Sequence, residues 1–205
     1  MKMSKIMKNT AILTAITLVA GSLLGLVYEV TKEPIAMAQE DTKQGAYGAV
    51  MEDAKKFKAY EAFDQDEAKK VVAEAGYTDD ITDVVVAVDQ SGKEIGYVVS
   101  VTSHDGYGGD IALSVGILND GTVKGMETLS IAETAGLGMK ATEATFKDQF
   151  KDKKVEKFTY TKSGEEGDDK IDALSGATIT TNAVTNAVDA ALVYFQNVLG
   201  GSVNE

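Results

Sequence analysis

Asp172-Ala173-Leu174-Ser175-Gly176-Ala177-Thr178-Ile179-Thr180 sets three hydroxyl side chains around one glycine, just before an unbroken helical pattern that runs to about Leu199. The first backbone N–H groups of a helix have no intrahelical partner, and the helix dipole favours an anion there. Gly176 and Ala177 leave room for a bulky group beside the backbone, and Thr178 offers a hydroxyl at the helix mouth. The stretch therefore suits a phosphate. On the residues alone plain N-capping, in which Ser or Thr serves the helix's own donors, is the commoner use of such a stretch.

Composition narrows what such a phosphate could belong to. The chain has 205 residues, a formal net charge of −12, no arginine and a single histidine, His104. Nucleic-acid backbones call for clustered Lys and Arg, so no nucleic-acid partner is expected. A bound phosphate would have to rely on backbone N–H groups, hydroxyls or Lys. There are no cysteines, which excludes thiolate-held iron–sulfur clusters, disulfides and thiol catalysis. One histidine makes a zinc site or a histidine-based triad improbable, and no metal ligand set is predicted. Hydrophobic content of 44% supports a real core.

The elements that position this stretch follow from the periodicity. Lys2, Lys5 and Lys8 precede Ala11–Val30, which is apolar apart from scattered Thr, Ser and Gly. About 20 such residues cross a bilayer as a helix, and the preceding lysines predict a cytoplasmic N-terminus (residues 1–10) with the remainder outside. A cleaved signal peptide is the rival reading, because Ala36-Met37-Ala38 resembles a cleavage site. That triplet sits well beyond the apolar run, and the run is long for a signal, so a retained anchor over 11–30 is preferred. Glu33-Pro34 marks the exit from the membrane, and residues 31–45 form a polar linker. Residues 46–205 form the external domain.

Within the domain, Ala46–Lys58 reads as a helix through Val50, Ala54 and Phe57, and Asp66–Ala75 as a second one stopped by Gly76. The period then changes to two. Ile81–Val88, Glu94–Ser103, Ile111–Leu118 and Thr122–Ile131 read as an antiparallel meander, with Ile95, Tyr97, Val99 and Val101 on one face. Thr142–Phe150 reads as a short helix, and Phe158–Thr161 as a strand. The last helix carries Val184, Ala187, Val188, Ala191, Leu192 and Phe195 on one stripe and ends at Gly200-Gly201. The fold class is α+β.

Two connections carry more glycine than a turn needs. In Gly106-Tyr107-Gly108-Gly109 the glycines let backbone approach a ligand, with Tyr107 against a ring; a long, loose turn has the same composition. In Glu133-Thr134-Ala135-Gly136-Leu137-Gly138, Leu137 between two glycines is either a ring contact or a plug for the core, and the residues alone favour the plug.

Taken in order, these blocks resemble the FMN-binding domain family. Asp172-Ala173-Leu174-Ser175-Gly176-Ala177-Thr178 looks like its flavinylation motif, the Gly106–Gly109 block like its glycine loop, and Glu133–Gly138 like its ETPGLG block. Within that family the chain is most similar to the G subunits of Rnf-type electron-transport complexes; the C subunits of sodium-pumping NADH:quinone reductases are similar but usually longer. The resemblance implies covalent FMN, esterified through its phosphate to Thr178 by a flavin transferase that recognises Asp172, Ser175, Gly176 and Ala177. It implies that Gly108, Gly109, Glu133, Thr134, Leu137 and Gly138 line the flavin. Its implied partners are the other membrane subunits of an Rnf-type complex, the transferase and membrane lipid, and its implied task is to carry electrons between ferredoxin and NAD+ with Na+ or H+ export, as a redox subunit that is not catalytic alone. Ala135 replaces the family's usual proline, and Ile131 stands where many members have histidine. A stand-alone flavinylated extracellular reductase and a non-redox anchored binding module remain the alternatives.

Overall fold

The computed structural model describes residues 2–200, so Gly201 of the expected stop and the last residues of the domain lie outside the described residues. The chain divides into two compact units, Met1–Thr42 and Lys43–Glu205.

The first unit lies within a single helix, α1 (Lys2–Val50), which is long and apolar enough to cross a membrane. Leu13, Leu18, Leu24 and Leu26 all stand exposed along it. The expected linker over 31–45 is not a break. Pro34 lies inside the helix, where it removes one backbone donor, yet its neighbours are good helix formers. Thr31 and Thr42 hydroxyls donate to the carbonyls four residues back, at 2.8 Å each.

In the second unit, the helix expected over 46–58 ends at Val50. The next residues are a short turn, and Lys56–Ala59 forms strand β1. The Lys-Phe-Lys alternation is the period-two signal that the helical reading overrode. A five-stranded antiparallel sheet follows the chain: β1, β2 (Asp80–Val88), β3 (Glu94–Ser103), β4 (Ile111–Leu118) and β5 (Val123–Ser130), paired in that order. The meander is as expected, with β1 added to cover the edge that β2 would otherwise expose.

Both faces of the sheet are covered. On one side Tyr47, Val50 and Met51 pack with Val85, Ala87 and Val98. Tyr47 also donates its hydroxyl to Asp83 at 2.9 Å. On the other side lie α2 (Gln65–Glu74) and α4 (Thr178–Asn197), against Val99, Val101, Leu113, Val115 and Ile117. This explains why β2 is buried without alternation from Val84 to Val88. It also corrects one side chain. A register shift at Ala87–Val88 sends Ile95 to the face of Val98, away from Tyr97, Val99 and Val101.

The stretch expected to be one helix over Thr142–Phe150 is broken into a 3-10 turn (Gly138–Thr142), a single α turn α3 (Ala144–Lys147) and a second 3-10 turn (Asp148–Phe150). Phe146, Phe150 and Phe158 stack edge to face there, with centroids 5.7 and 5.0 Å apart. Two short parallel strands, β6 (Thr159–Thr161) and β7 (Lys170–Asp172), then deliver the chain to α4. α4 is buried on nearly every side from Ala183 to Phe195, so its start is held by the whole core.

Candidate functional site

The approach to α4 is tied at successive points. Asp172 N–H donates to Gln149 Oε1 at 2.6 Å, and Ala173 N–H to Thr161 O at 2.8 Å. Leu174 to Ala177 forms a turn closed by Ala177 N–H to Leu174 O at 3.0 Å. Gly176 holds its third position with φ of +76°, which a residue with a side chain adopts only under strain. Leu174 N–H donates to Thr181 Oγ, and that hydroxyl donates in turn to Ala177 O, both at 3.0 Å.

The helix that follows has Ala177 at its cap position, no side-chain cap and no acidic residue in its first turn. The Ser/Thr capping considered for this stretch is therefore absent. What remains is a helix start whose first N–H donors have no intrahelical partner and no side-chain cap. Four hydroxyls sit around it and differ in access. Thr181 is fully buried and doubly bonded, Thr180 is 1% exposed, Ser175 is exposed but does not line a cleft, and Thr178 is half-buried at the cleft wall.

That cleft measures about 580 Å³, within the usual range for small-molecule sites. One wall is Gly176, Ala177, Thr178, Ile179 and Thr180. Glu133, Thr134, Leu137 and Gly138 form the second wall, and Tyr107 of the glycine loop the third. Outside α1, the large apolar residues exposed among the described residues are Tyr107, Leu137 and Ile179, at 71%, 43% and 53%, and all three edge this cleft. Exposed apolar groups gathered at one concave place mark a ligand or partner site. At 43% exposure Leu137 is a wall and not a core plug. Its Cδ2 stands 3.2 Å from the position that a Cβ on Gly176 would take.

Glu133, Thr134, Leu137, Gly138, Gly176, Ala177 and Thr178 thus line one cleft. Gly108 and Gly109 do not reach the cleft wall. Gly108 acts behind it, donating its N–H to Glu133 Oε1 at 3.2 Å, while a Cβ there would strike Ala132 O at 2.2 Å. Asp172 and Ser175 are exposed and do not line this cleft. Ile179 was not singled out from the sequence. Its signal was a large apolar residue between two threonines, off the buried stripe of α4. None of the cleft-lining side chains is basic. His104 is engaged elsewhere, between Asp110 at 3.0 Å and Asp80 at 3.1 Å, and those hydrogen bonds raise its pKa.

Residues 106–193 match the family model of the FMN-binding domain, and residues 1–50 that of the RnfG N-terminal region. The G subunit of the Na(+)-translocating ferredoxin:NAD(+) oxidoreductase complex of Acetobacterium woodii is 31% identical over 94% of this chain and 93% of its own. This chain belongs to the G-subunit family of Rnf-type ion-translocating oxidoreductase complexes. The proton-translocating counterpart from Clostridium ljungdahlii is 32% identical over 92% of this chain and 91% of its own. The C subunit of a Na(+)-translocating NADH-quinone reductase from Parabacteroides distasonis aligns with 69% of this chain and 70% of its own, at 23% identity and a TM-score of 0.49.

The residues present fit FMN. A planar apolar ring suits the slot between Tyr107, Leu137 and Ile179, and a phosphate suits the uncapped start of α4 beside a reachable threonine.

Proposed function

We propose that Thr178 Oγ carries FMN as a phosphoester, and that the chain is the membrane-anchored electron carrier of an Rnf-type ferredoxin:NAD+ oxidoreductase. One observation carries the reading: a reachable hydroxyl, an uncapped helix start and an apolar cleft coincide at Thr178. FMN supplies electron storage; the protein supplies its position and surroundings. The phosphate lies where charge is favoured by about 0.3–1 kcal/mol through the helix dipole. That matters here because the cleft offers no cation. The exposed Asp172 and Ser175 give a flavin transferase a surface to read before it acts on Thr178.

The relatives' names divide between Na+ and protons, so either ion is compatible with this chain. Lys5 and Lys8 before the apolar run favour a cytoplasmic N-terminus, with the flavin domain outside. Protease added to right-side-out vesicles should then digest the domain, and full protection would reverse the orientation.

The decisive experiment is peptide mass spectrometry on protein made with an active flavin transferase. One FMN adduct should fall on the segment containing Thr178, vanish in Thr178→Ala and survive in Thr180→Ala. An adduct that persists in Thr178→Ala, or is missing from the unsubstituted chain, refutes the assignment.

A further inference from the structure

Glu133 stands where the segments that build the cleft meet. Its side chain is nearly buried, at 8% exposure. Oε1 accepts the Gly108 N–H at 3.2 Å and lies 3.1 Å from the position of a Cβ on Gly106. Oε2 lies 2.6 Å from the position of a Cβ on Gly138, and Thr180 Oγ lies 2.6 Å from that same point. One carboxylate therefore bears on the glycine loop with one oxygen and on the 3-10 turn with the other. The mouth of α4 closes on the turn from beside it.

Gly108, which donates to Glu133, and Gly138, against which its other oxygen packs, each adjoin a large side chain of the cleft wall. Gly108 follows Tyr107, and Gly138 follows Leu137. Glycine backbones restrain themselves poorly, so the separation of those walls needs an outside reference. We infer that Glu133 is a positioning residue that fixes the spacing of Tyr107 and Leu137 across the cleft. This rests on the reading that the flavin ring occupies that slot, although the brace itself is a property of the polypeptide. Gly138 is part of the device. Any side chain there would meet both Glu133 and Thr180 at a distance that real contacts do not tolerate.

The test uses the full chain, made without flavin transferase, so that hydrogen exchange reads the brace in the absence of flavin. Glu133→Ala should speed exchange by about tenfold in both 106–109 and 137–142, with the β2–β4 core unchanged. Glu133→Gln, which keeps an acceptor for Gly108 and the same bulk, should restore exchange to within about twofold in both segments. Gly138→Ala, which keeps the carboxylate but displaces it, should loosen both segments and decides the matter if Glu133→Ala does not fold. In flavinylated protein, Glu133→Ala should keep the adduct but leave the ring more open to iodide quenching than Glu133→Gln does. Faster exchange in one segment only, in neither, or evenly across the domain overturns the inference. The expected exchange response, together with no adduct on chain made with an active transferase, would sink the proposed attachment and leave the brace standing.

Discussion

Two helices of this domain begin in opposite ways. α2 is closed by its own chain: Asp64 accepts Glu67 N–H at 2.9 Å, and Asp66 and Glu67 place negative charge in the first turn. α4 begins at Ala177 with neither device, although three threonines stand within its first four residues. Thr181 is turned inward, bonded to Leu174 and Ala177, while Thr178 and the buried Thr180 line the cleft. Hydroxyl residues at a helix start are therefore poor evidence for capping. What they bond to decides whether the helix has completed itself or leaves its donors for a ligand.

The largest effect that can break this contrast is at Thr178. Thr178→Ala should remove all covalent flavin while leaving the unfolding free energy of unflavinylated protein within about 0.5 kcal/mol, as befits a partly exposed side chain that caps nothing. A loss of about 1 kcal/mol or more in denaturant unfolding would make Thr178 a structural cap after all.

Next in size is a pH effect inside the same helix. α4 leaves its start open to charge but buries Asp189, which is 1% exposed. Asp189 accepts Phe158 N–H at 2.8 Å and Tyr77 hydroxyl at 3.3 Å. Burial pushes its pKa up from 3.8 to about 7, with nearby Asp79 adding to the rise, against the Phe158 and Tyr77 hydrogen bonds and the Lys157 charge. Because the folded value is raised, the stability that Asp189 contributes is complete below about pH 4 and is lost as pH climbs towards 7. The span is on the order of a few kcal/mol. Asp79, also buried, is shifted the same way by burial, against the Ser103 hydroxyl beside it. Melting temperature followed from pH 4 to 8 should fall more steeply in the unsubstituted domain than in Asp189→Asn. Parallel curves would mean that Asp189 stays ionised.

What could be read from the sequence divides along the same physical line. The meander was legible because β-branched and apolar runs of 8 to 10 residues, alternating most clearly in β4, are separated by Gly-bearing turns. β1 and the end of α1 were not, since Phe57 keeps helical spacing with Val50 and Ala54 while also alternating with Lys56 and Lys58. The continuation of α1 through Pro34 was missed because one proline weighs more in a pattern than the single hydrogen bond it removes. At the site, two separate sequence blocks pointed to Thr178 and to Leu137 and Glu133, and all three line one cleft. Only the packing could show that Gly108 works from behind the wall, that Asp172 and Ser175 lie off the cleft, and that Ile179 lines it.

A smaller effect sharpens the other half of the comparison. Asp64→Ala should cost about 1 kcal/mol of stability by denaturant unfolding, the usual value of an N-cap, and leave the yield of flavin adduct unchanged. If adduct yield fell in proportion, attachment would be tracking general stability, and the contrast between the two helix starts would lose its functional meaning.

The smallest effect is expected at Leu137, and its size is what makes it informative. A leucine that plugs a core costs about 2–5 kcal/mol when cut to alanine, because it leaves a cavity behind. Leu137 is 43% exposed and leans over Gly176 at the rim of the cleft. Leu137→Ala should therefore change stability by only about 0.5 kcal/mol, as surface substitutions do. It should also leave the Thr178 adduct in place, since the attachment turn is held from its other side by Gln149, Thr161 and Thr181. What should move is the flavin's visible absorption band and midpoint potential, because one apolar wall of the slot is replaced by water. Little change in stability together with a shifted spectrum places Leu137 against the ring. A loss of several kcal/mol with an unshifted spectrum would return it to the core, and the cleft would then need a different wall.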